Sequence, residues 1–218
     1  MSFLRKLFGE PKAALDPSVF NDPVAEQIPW TPLKRGGTSF QTKKLNVISS
    51  GASGRAEFVI TGGYKAFCFL FILFGMFIAA GVIGTVGFED GSFVYAMLIP
   101  AGMGLIFSLT GFIIYYFSLT PIVFDKREGY FWKGRKSPSE VFNIDRIKHR
   151  MKLDDVHAIQ LISERVSSNN GSYRSYEVNL VSSKGERVNV IDHGKLSTIR
   201  EDADTLSKFL NVPVWDGI

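Results

Sequence analysis

Two long apolar runs stand back to back in this 218-residue chain, and they constrain its fold more than any other feature. The first covers residues 64–86 and the second 93–117. Between Ala66 and Phe117 the only carboxylates are Glu89 and Asp90, and no Lys, Arg or His occurs. Each run exceeds the roughly 20 residues that a helix needs to cross a hydrocarbon core. Neither has the polar face of a helix lying on a soluble core. The link, Gly87-Phe88-Glu89-Asp90-Gly91-Ser92, is short and acidic. The expectation is a transmembrane hairpin of two antiparallel helices, 64–117.

The flanks set its orientation. Lys34, Arg35, Lys43, Lys44, Arg55 and Lys65 precede the hairpin, Lys126, Arg127, Lys133, Arg135 and Lys136 follow it, and the link has no Lys or Arg. By the positive-inside rule both termini are cytoplasmic, as in a multi-pass protein of a bacterial-type inner (plasma) membrane. Tyr64 and Tyr115-Tyr116-Phe117 fall where an aromatic belt forms. Residues 1–10 lack the apolar run of a cleavable signal, so the first span is expected to act as its own insertion signal. The single cysteine, Cys68, rules out an intrachain disulfide. Small residues recur at four-residue spacing: Gly75 with Ala79, Ala80 with Gly84, Gly104 with Ser108. Such spacing lets backbones approach closely, either within the hairpin or against another membrane protein or a second copy. Pro100 removes a backbone donor and is expected to kink the second helix. Apart from Lys65 at its edge the hairpin has no intramembrane charge, which argues against a transporter acting alone.

The remaining sequence divides in three. Residues 1–36 form a polar leader with Pro11, Pro17, Pro23, Pro29 and Pro32, a density that predicts an extended tether. Within it Phe3, Leu4, Leu7 and Phe8 share one side of a short helical pattern with Arg5 and Lys6 opposite. Residues 37–63 carry two short strand patterns, 38–45 and 55–61; whether they join the later sheet is open. Residues 118–218 switch to strand periodicity. Strands are expected at 120–125 and 130–133 around the turn Lys126-Arg127-Glu128-Gly129, then at 141–147, 156–166, 173–181 and 187–191. The 156–166 run is apolar on both faces and reads as central. An amphipathic helix follows at 197–210, with Leu196, Ile199, Ala203, Leu206 and Leu210 on one face, a Thr198/Glu201 capping box and a stop at Pro213. The fold class is therefore a transmembrane hairpin plus an α+β cytoplasmic domain. That domain is mainly antiparallel β, pleckstrin-homology-like, with a closing C-terminal helix.

The run Phe124-Asp125-Lys126-Arg127-Glu128-Gly129 after a two-helix hairpin, and the ending Phe209-Leu210-Asn211-Val212-Pro213-Val214, carry a resemblance. In layout over roughly residues 60–215 the chain resembles the photosystem I assembly factor family of chloroplasts and cyanobacteria. It is also similar to bacterial two-span proteins with a pleckstrin-homology-like domain. The resemblance implies a non-enzymatic assembly role.

Chemistry-bearing residues are sparse. Asp154, Asp155 and His157 lie close in sequence, but alternate strand residues point to opposite faces, and an exposed turn is the expected reading. Asp192-His193-Gly194 has no partner nucleophile in any motif, and His149 and His193 are expected at the surface. Asn170-Gly171-Ser172 matches a glycosylation acceptor that a cytoplasmic loop would not use. No phosphate-cradling glycine loop occurs. No enzyme activity, cofactor, metal or nucleic-acid partner is expected. Charge is unevenly spread: residues 121–152 carry nine Lys and Arg against four acids, and residues 153–218 seven against ten. Anionic headgroups attract juxtamembrane basic residues. Lys126, Arg127, Trp132, Lys133, Arg135 and Lys136 are thus candidate headgroup contacts, with Phe131 beside Trp132 near the interface. The expected function is a membrane scaffold or assembly subunit. The alternatives are an anionic-lipid-responsive surface module, or an accessory subunit of a transport or defence complex.

Overall fold

The computed structural model describes residues 15–85, 93–168 and 171–218, with side-chain surroundings for all of these except 82–85, 93–97 and 168. The 3–8 helical pattern, the 87–92 link and the surroundings of Gly84 lie outside the described residues. The chain divides into two compact units. One is continuous, Phe40–Arg150; the other joins the leader, up to Ser39, to Met151–Ile218.

The continuous unit contains β1 (Lys43–Ser49), β2 (Arg55–Ile60), the helices α2 (Gly62–Thr85) and α3 (Phe93–Ser118), β3 (Ile122–Asp125) and β4 (Tyr130–Lys133). The label α1 belongs to the leader helix Pro23–Gln27. The pre-hairpin strands do join the later ones: the sheet order is β1-β2-β3-β4-β5, with β5 at Arg150–Lys152. Alternation explains the burial. Ala56 and Phe58 of β2 point inward and stack toward Phe124 and Phe131, whose rings lie 4.8 Å apart. The turn between β3 and β4 forms because the Asp125 carboxylate accepts the Arg127 and Glu128 amides at 2.8 and 3.2 Å. Gly129 then takes φ +70°, a left-handed value that favours glycine.

The helices α2 and α3 are long and apolar enough to cross a membrane, over Gly62–Gly81 and Leu98–Ser118. Most of their large side chains, among them Leu70, Leu73, Phe77, Leu105 and Ile106, are exposed. Pro100 lies inside α3, as the sequence required.

The expected strand at 141–147 does not form. Short helical turns occupy Pro138–Glu140 and Ile144–Arg146, and the strand lies later, at β5. Local polar groups decide this. Ser137 and Glu140 make a reciprocal capping box, and the Asn143 side chain accepts the Asp145 amide at 2.8 Å. Both lock the backbone into turns despite the apolar residues between them.

The second unit is a four-stranded sheet, β8-β7-β6-β9, with β6 at Val156–Ser168, β7 at Gly171–Ser182, β8 at Arg187–His193 and β9 at Val214–Asp216. β6 is central, as its two apolar faces required. Helix α4 (Leu196–Leu210) buries Ile199, Ala203, Leu206 and Phe209. Its N-cap is Lys195, so Thr198 sits inside the first turn and is buried, and the expected Thr198/Glu201 box is not the cap. The chain beyond Pro213 is more than a helix stop. The Pro213 carbonyl accepts the Ile159 amide, and β9 runs parallel to β6.

The leader is likewise not an extended tether over its described part. Pro17 and Pro23 open a 3₁₀ turn and helix α1, where Asp16 and Asp22 cap the Ser18 and Val24 amides at 3.1 and 2.8 Å. Proline is tolerated at a first helical position because its missing N–H has no partner there anyway. Ala25 and Ile28 bury against Ala158, Val181 and Trp215. Residues 118–218 therefore do not form one domain. Their first strands complete the sheet begun before the hairpin, and their later strands share a core with the leader.

Candidate functional site

The sequence marks two kinds of candidate, a helix-packing seam and a basic surface. The seam is real and internal to the hairpin. A Cβ at Gly75 would lie 2.4 Å from the Gly104 carbonyl oxygen and 2.5 Å from the Ser108 amide. One at Gly104 would lie 2.5 Å from the Gly75 carbonyl and 2.9 Å from the Ala79 amide. Ser108 donates its hydroxyl to the Ile72 carbonyl at 3.0 Å across the seam. Gly75, Ala79, Gly104 and Ser108 thus meet, and Gly111, missed in the sequence, meets Cys68 in the same way. Ala80 faces outward.

The basic surface resolves into a cleft of about 660 Å³ that includes Lys133, Arg135, Lys136, Arg146, Lys148 and His149 in its lining. It holds five Lys or Arg and one carboxylate, Glu140. That carboxylate already accepts the Ser137 amide at 2.8 Å. Two features build the cleft. Gly134, at φ +151°, lets the chain leave β4 sharply while its amide donates to the Pro121 carbonyl at 3.0 Å. The two helical turns then carry the chain round to β5, pinned where Arg150 donates to the Ile147 carbonyl at 2.8 Å and pairs with Asp145. Between those turns Phe142 stands fully exposed on the rim.

The cleft adjoins the end of α3. The Arg135 guanidinium lies 3.8 Å from the Tyr116 ring centroid and donates to the Tyr116 carbonyl at 2.9 Å. Cation–π stacking of this kind fixes a planar guanidinium. At the start of α2 a second, aromatic cleft of about 480 Å³ includes Phe40, Tyr64 and Phe67.

The remaining candidate contacts separate. Lys126 and Arg127 occupy the β3–β4 turn, a four-residue strand away from Lys133, which is roughly 13 Å at about 3.3 Å per residue. Trp132 and Phe131 are buried, Trp132 with Val123 and Ile147. Consecutive on β4, they point to opposite faces of the sheet, Phe131 onto Phe124 and Trp132 onto Val123 and Ile147, so the exposed aromatic at the cleft is Phe142. A signal for it existed: Ser-Pro before it and Asn-Ile-Asp after it are turn chemistry.

Buried Lys43 belongs to the same end of the unit. Its amine donates to the Thr120 carbonyl, just past α3, and burial pushes its pKa down to about 8.

His149 is exposed, as expected, and lines the cleft, and His157 meets Asp22 of the leader at 2.7 Å. His193 is not at the surface: it is fully buried under α4, with Asp202 at 3.5 Å. Among the described residues no three His, Cys, Asp or Glu converge as a metal site. Comparison of the chain with protein-family models, with curated proteins and with solved structures finds no match.

Proposed function

We propose that this protein is a non-enzymatic membrane scaffold whose basic cleft seats on anionic lipid headgroups, while the parts of the chain outside α2 and α3 are offered to protein partners. In this reading α2 and α3 cross the inner membrane with both termini cytoplasmic. The sheet of the second unit, with α4, serves as a pleckstrin-homology-like binding module. One observation carries the reading: a fully exposed phenylalanine, Phe142, stands on the rim of a cleft with five cationic side chains beside the end of an apolar helix. An exposed Phe in water has no compensation, whereas at a bilayer surface it enters the acyl boundary as the cations meet phosphates.

The test uses the full chain in nanodiscs, carrying Cys68→Ala and an environment-sensitive dye on Phe142→Cys. Emission should shift to the blue in phosphatidylglycerol-containing discs relative to pure phosphatidylcholine. The shift should fade with salt and with Lys136→Ala, Arg146→Ala and Lys148→Ala together. Identical spectra in both lipids would remove the headgroup reading.

A further inference from the structure

In the second unit residues 31–38 of the leader cross the sheet as a strap bound through its main chain, downstream of buried Ala25 and Ile28 and half-buried Trp30. The Glu177 carboxylate accepts the Leu33 and Lys34 amides at 2.9 and 3.1 Å, and Glu164 accepts the Gly36 amide at 3.0 Å. In the opposite sense, Gln160 donates to the Pro29 carbonyl, Arg187 to Thr31, Tyr173 to Gly37 and Ser175 to Thr38. Tyr173, Ser175 and Glu177 alternate along β7, so they share one face of the sheet. The side chains of Thr31, Leu33, Lys34 and Arg35 remain exposed. The sheet reads the backbone here and leaves the side chains unread.

Glycines shape the seats. A Cβ at Gly217 would lie 2.9 Å from the Trp30 ring, one at Gly194 would lie 1.8 Å from the Ser39 carbonyl oxygen, and one at Gly185 would lie 3.2 Å from Ile28. On the strap itself Gly37 is the size-restricted position, because a Cβ there falls 2.3 Å from Ser175 Oγ. Trp30 is the anchor: it stacks on Phe20 at 5.0 Å and packs near Trp215 at 6.4 Å. The surface thus selects an aromatic anchor and a glycine seven residues later, preceded by Gly36 at φ +77°, a left-handed value that favours glycine.

We propose that this face is a peptide-binding platform and that its occupant exchanges between chains, the strap of one copy seating on the sheet of a second. The whole unit Phe40–Arg150 separates strap from sheet in the chain, so no short covalent link commits the strap to its own sheet. Every bond above forms equally well whichever copy supplies the strap, which is the condition for swapping an identical element. The Trp30-to-Gly37 spacing that the platform accepts is present in each copy. Confinement in one membrane, which rests on the function proposed above, raises the effective concentration of copies for one another.

The test uses full-length protein in native membranes, with Cys68→Ala throughout. One tagged chain carries Gly37→Cys and a differently tagged chain carries Ser175→Cys. The Cβ position at Gly37 lies 2.9 Å from Ser175 Cβ, close enough for a disulfide after a small shift. With copper-phenanthroline as oxidant, the mixed pair should give a reducible dimer bearing both tags. Its yield should exceed, at least severalfold, that of an Arg35→Cys chain with the same partner. Adding Trp30→Ala to the Gly37→Cys chain should reduce it. A chain carrying both cysteines reports whether the strap seats at all. If that chain closes internally while the mixed pair yields no more dimer than the Arg35→Cys control, exchange is overturned and the membrane reading stands. If the Leu33 and Lys34 amides of the unsubstituted chain show no protection from hydrogen exchange, the platform itself is overturned.

Discussion

The two units are held together in opposite ways. In Phe40–Arg150 the decisive contacts are apolar side chains and close backbone approach: the Phe58, Phe124 and Phe131 cluster and the glycine seam of α2 and α3. In the other unit the leader adds to an apolar cluster around Trp215 a set of buried polar contacts with the sheet. Gln160, Glu177 and Asn179 are buried among strand residues; Gln160 and Glu177 bond to the leader, and Asn179 donates to Glu177. Apolar packing is non-directional and tolerates repacking. A buried carboxylate does not, because losing its partners leaves a desolvated group. The first unit should therefore fail by steric overpacking and the second by loss of single polar atoms.

The largest effect expected from this contrast is at the seam. Gly75→Leu forces a side chain into the Gly104 and Ser108 backbone, where nothing flexible yields, and should cost about 3 kcal/mol or more, the upper range for overpacking. Ala80→Leu, on the exposed face, should be nearly neutral. Thermal unfolding of both in detergent checks this, and equal losses would show that the seam is not where the helices meet. Glu177→Ala comes next. It removes the acceptor of two leader amides and should cost about 2–3 kcal/mol, the scale of a charged hydrogen bond. Hydrogen exchange at Leu33 and Lys34 should accelerate while exchange in β1–β4 stays unchanged. Matching acceleration in both units would erase the distinction between them.

How much of this was legible follows the same division. The hairpin, Pro100, the β3–β4 turn, the central place of β6 and the apolar face of α4 all rest on periodicity or local turn chemistry, which sequence displays directly. The leader departs from its sequence pattern because proline density signals an extended chain only when no cap is nearby, and Asp16-Pro17 and Asp22-Pro23 are helix starts. Its docking partners, Glu164 and Glu177, lie more than 100 residues away and have no local signature. His193 was expected outside because a polar residue after a strand is usually solvated; here α4 folds back over it. At the cleft, Lys133, Arg135 and Lys136 were identified, and Arg146 and Lys148 counted in the basic run. Phe142 was assigned to a strand, because three apolar residues at 141, 142 and 144 outweighed the turn residues around them.

Smaller effects sharpen the comparison from within the first unit, where two buried charges act in opposite directions. Lys43 has its pKa pushed by burial from 10.5 down to about 8. Between those values the unfolded chain binds a proton that the folded chain does not, so stability rises with pH across that window. The full shift corresponds to about 3 kcal/mol at ~1.4 kcal/mol per unit, and the Thr120 carbonyl offsets part of it. Lys43→Met should therefore stabilise the fold by about 1–2 kcal/mol at pH 7 and flatten the alkaline rise. An unchanged alkaline slope would show that another group titrates there.

Asp125 has the smaller and opposite effect. Burial alone would raise its pKa, but the Glu128 and Arg127 amides and Arg55 at 2.9 Å together hold it below the usual carboxylate range. Its contribution is present above the unfolded value and fades as pH falls through the folded one. Asp125→Asn keeps an oxygen for both amides and loses only the ion pair, whose Arg55 side is partly exposed. A loss of about 1 kcal/mol at pH 7, vanishing in acid, is expected from urea titrations at both pH values. A loss as large as that of Glu177→Ala, or one that persists in acid, would mean that the first unit also depends on a buried carboxylate, and the contrast between the units would fall.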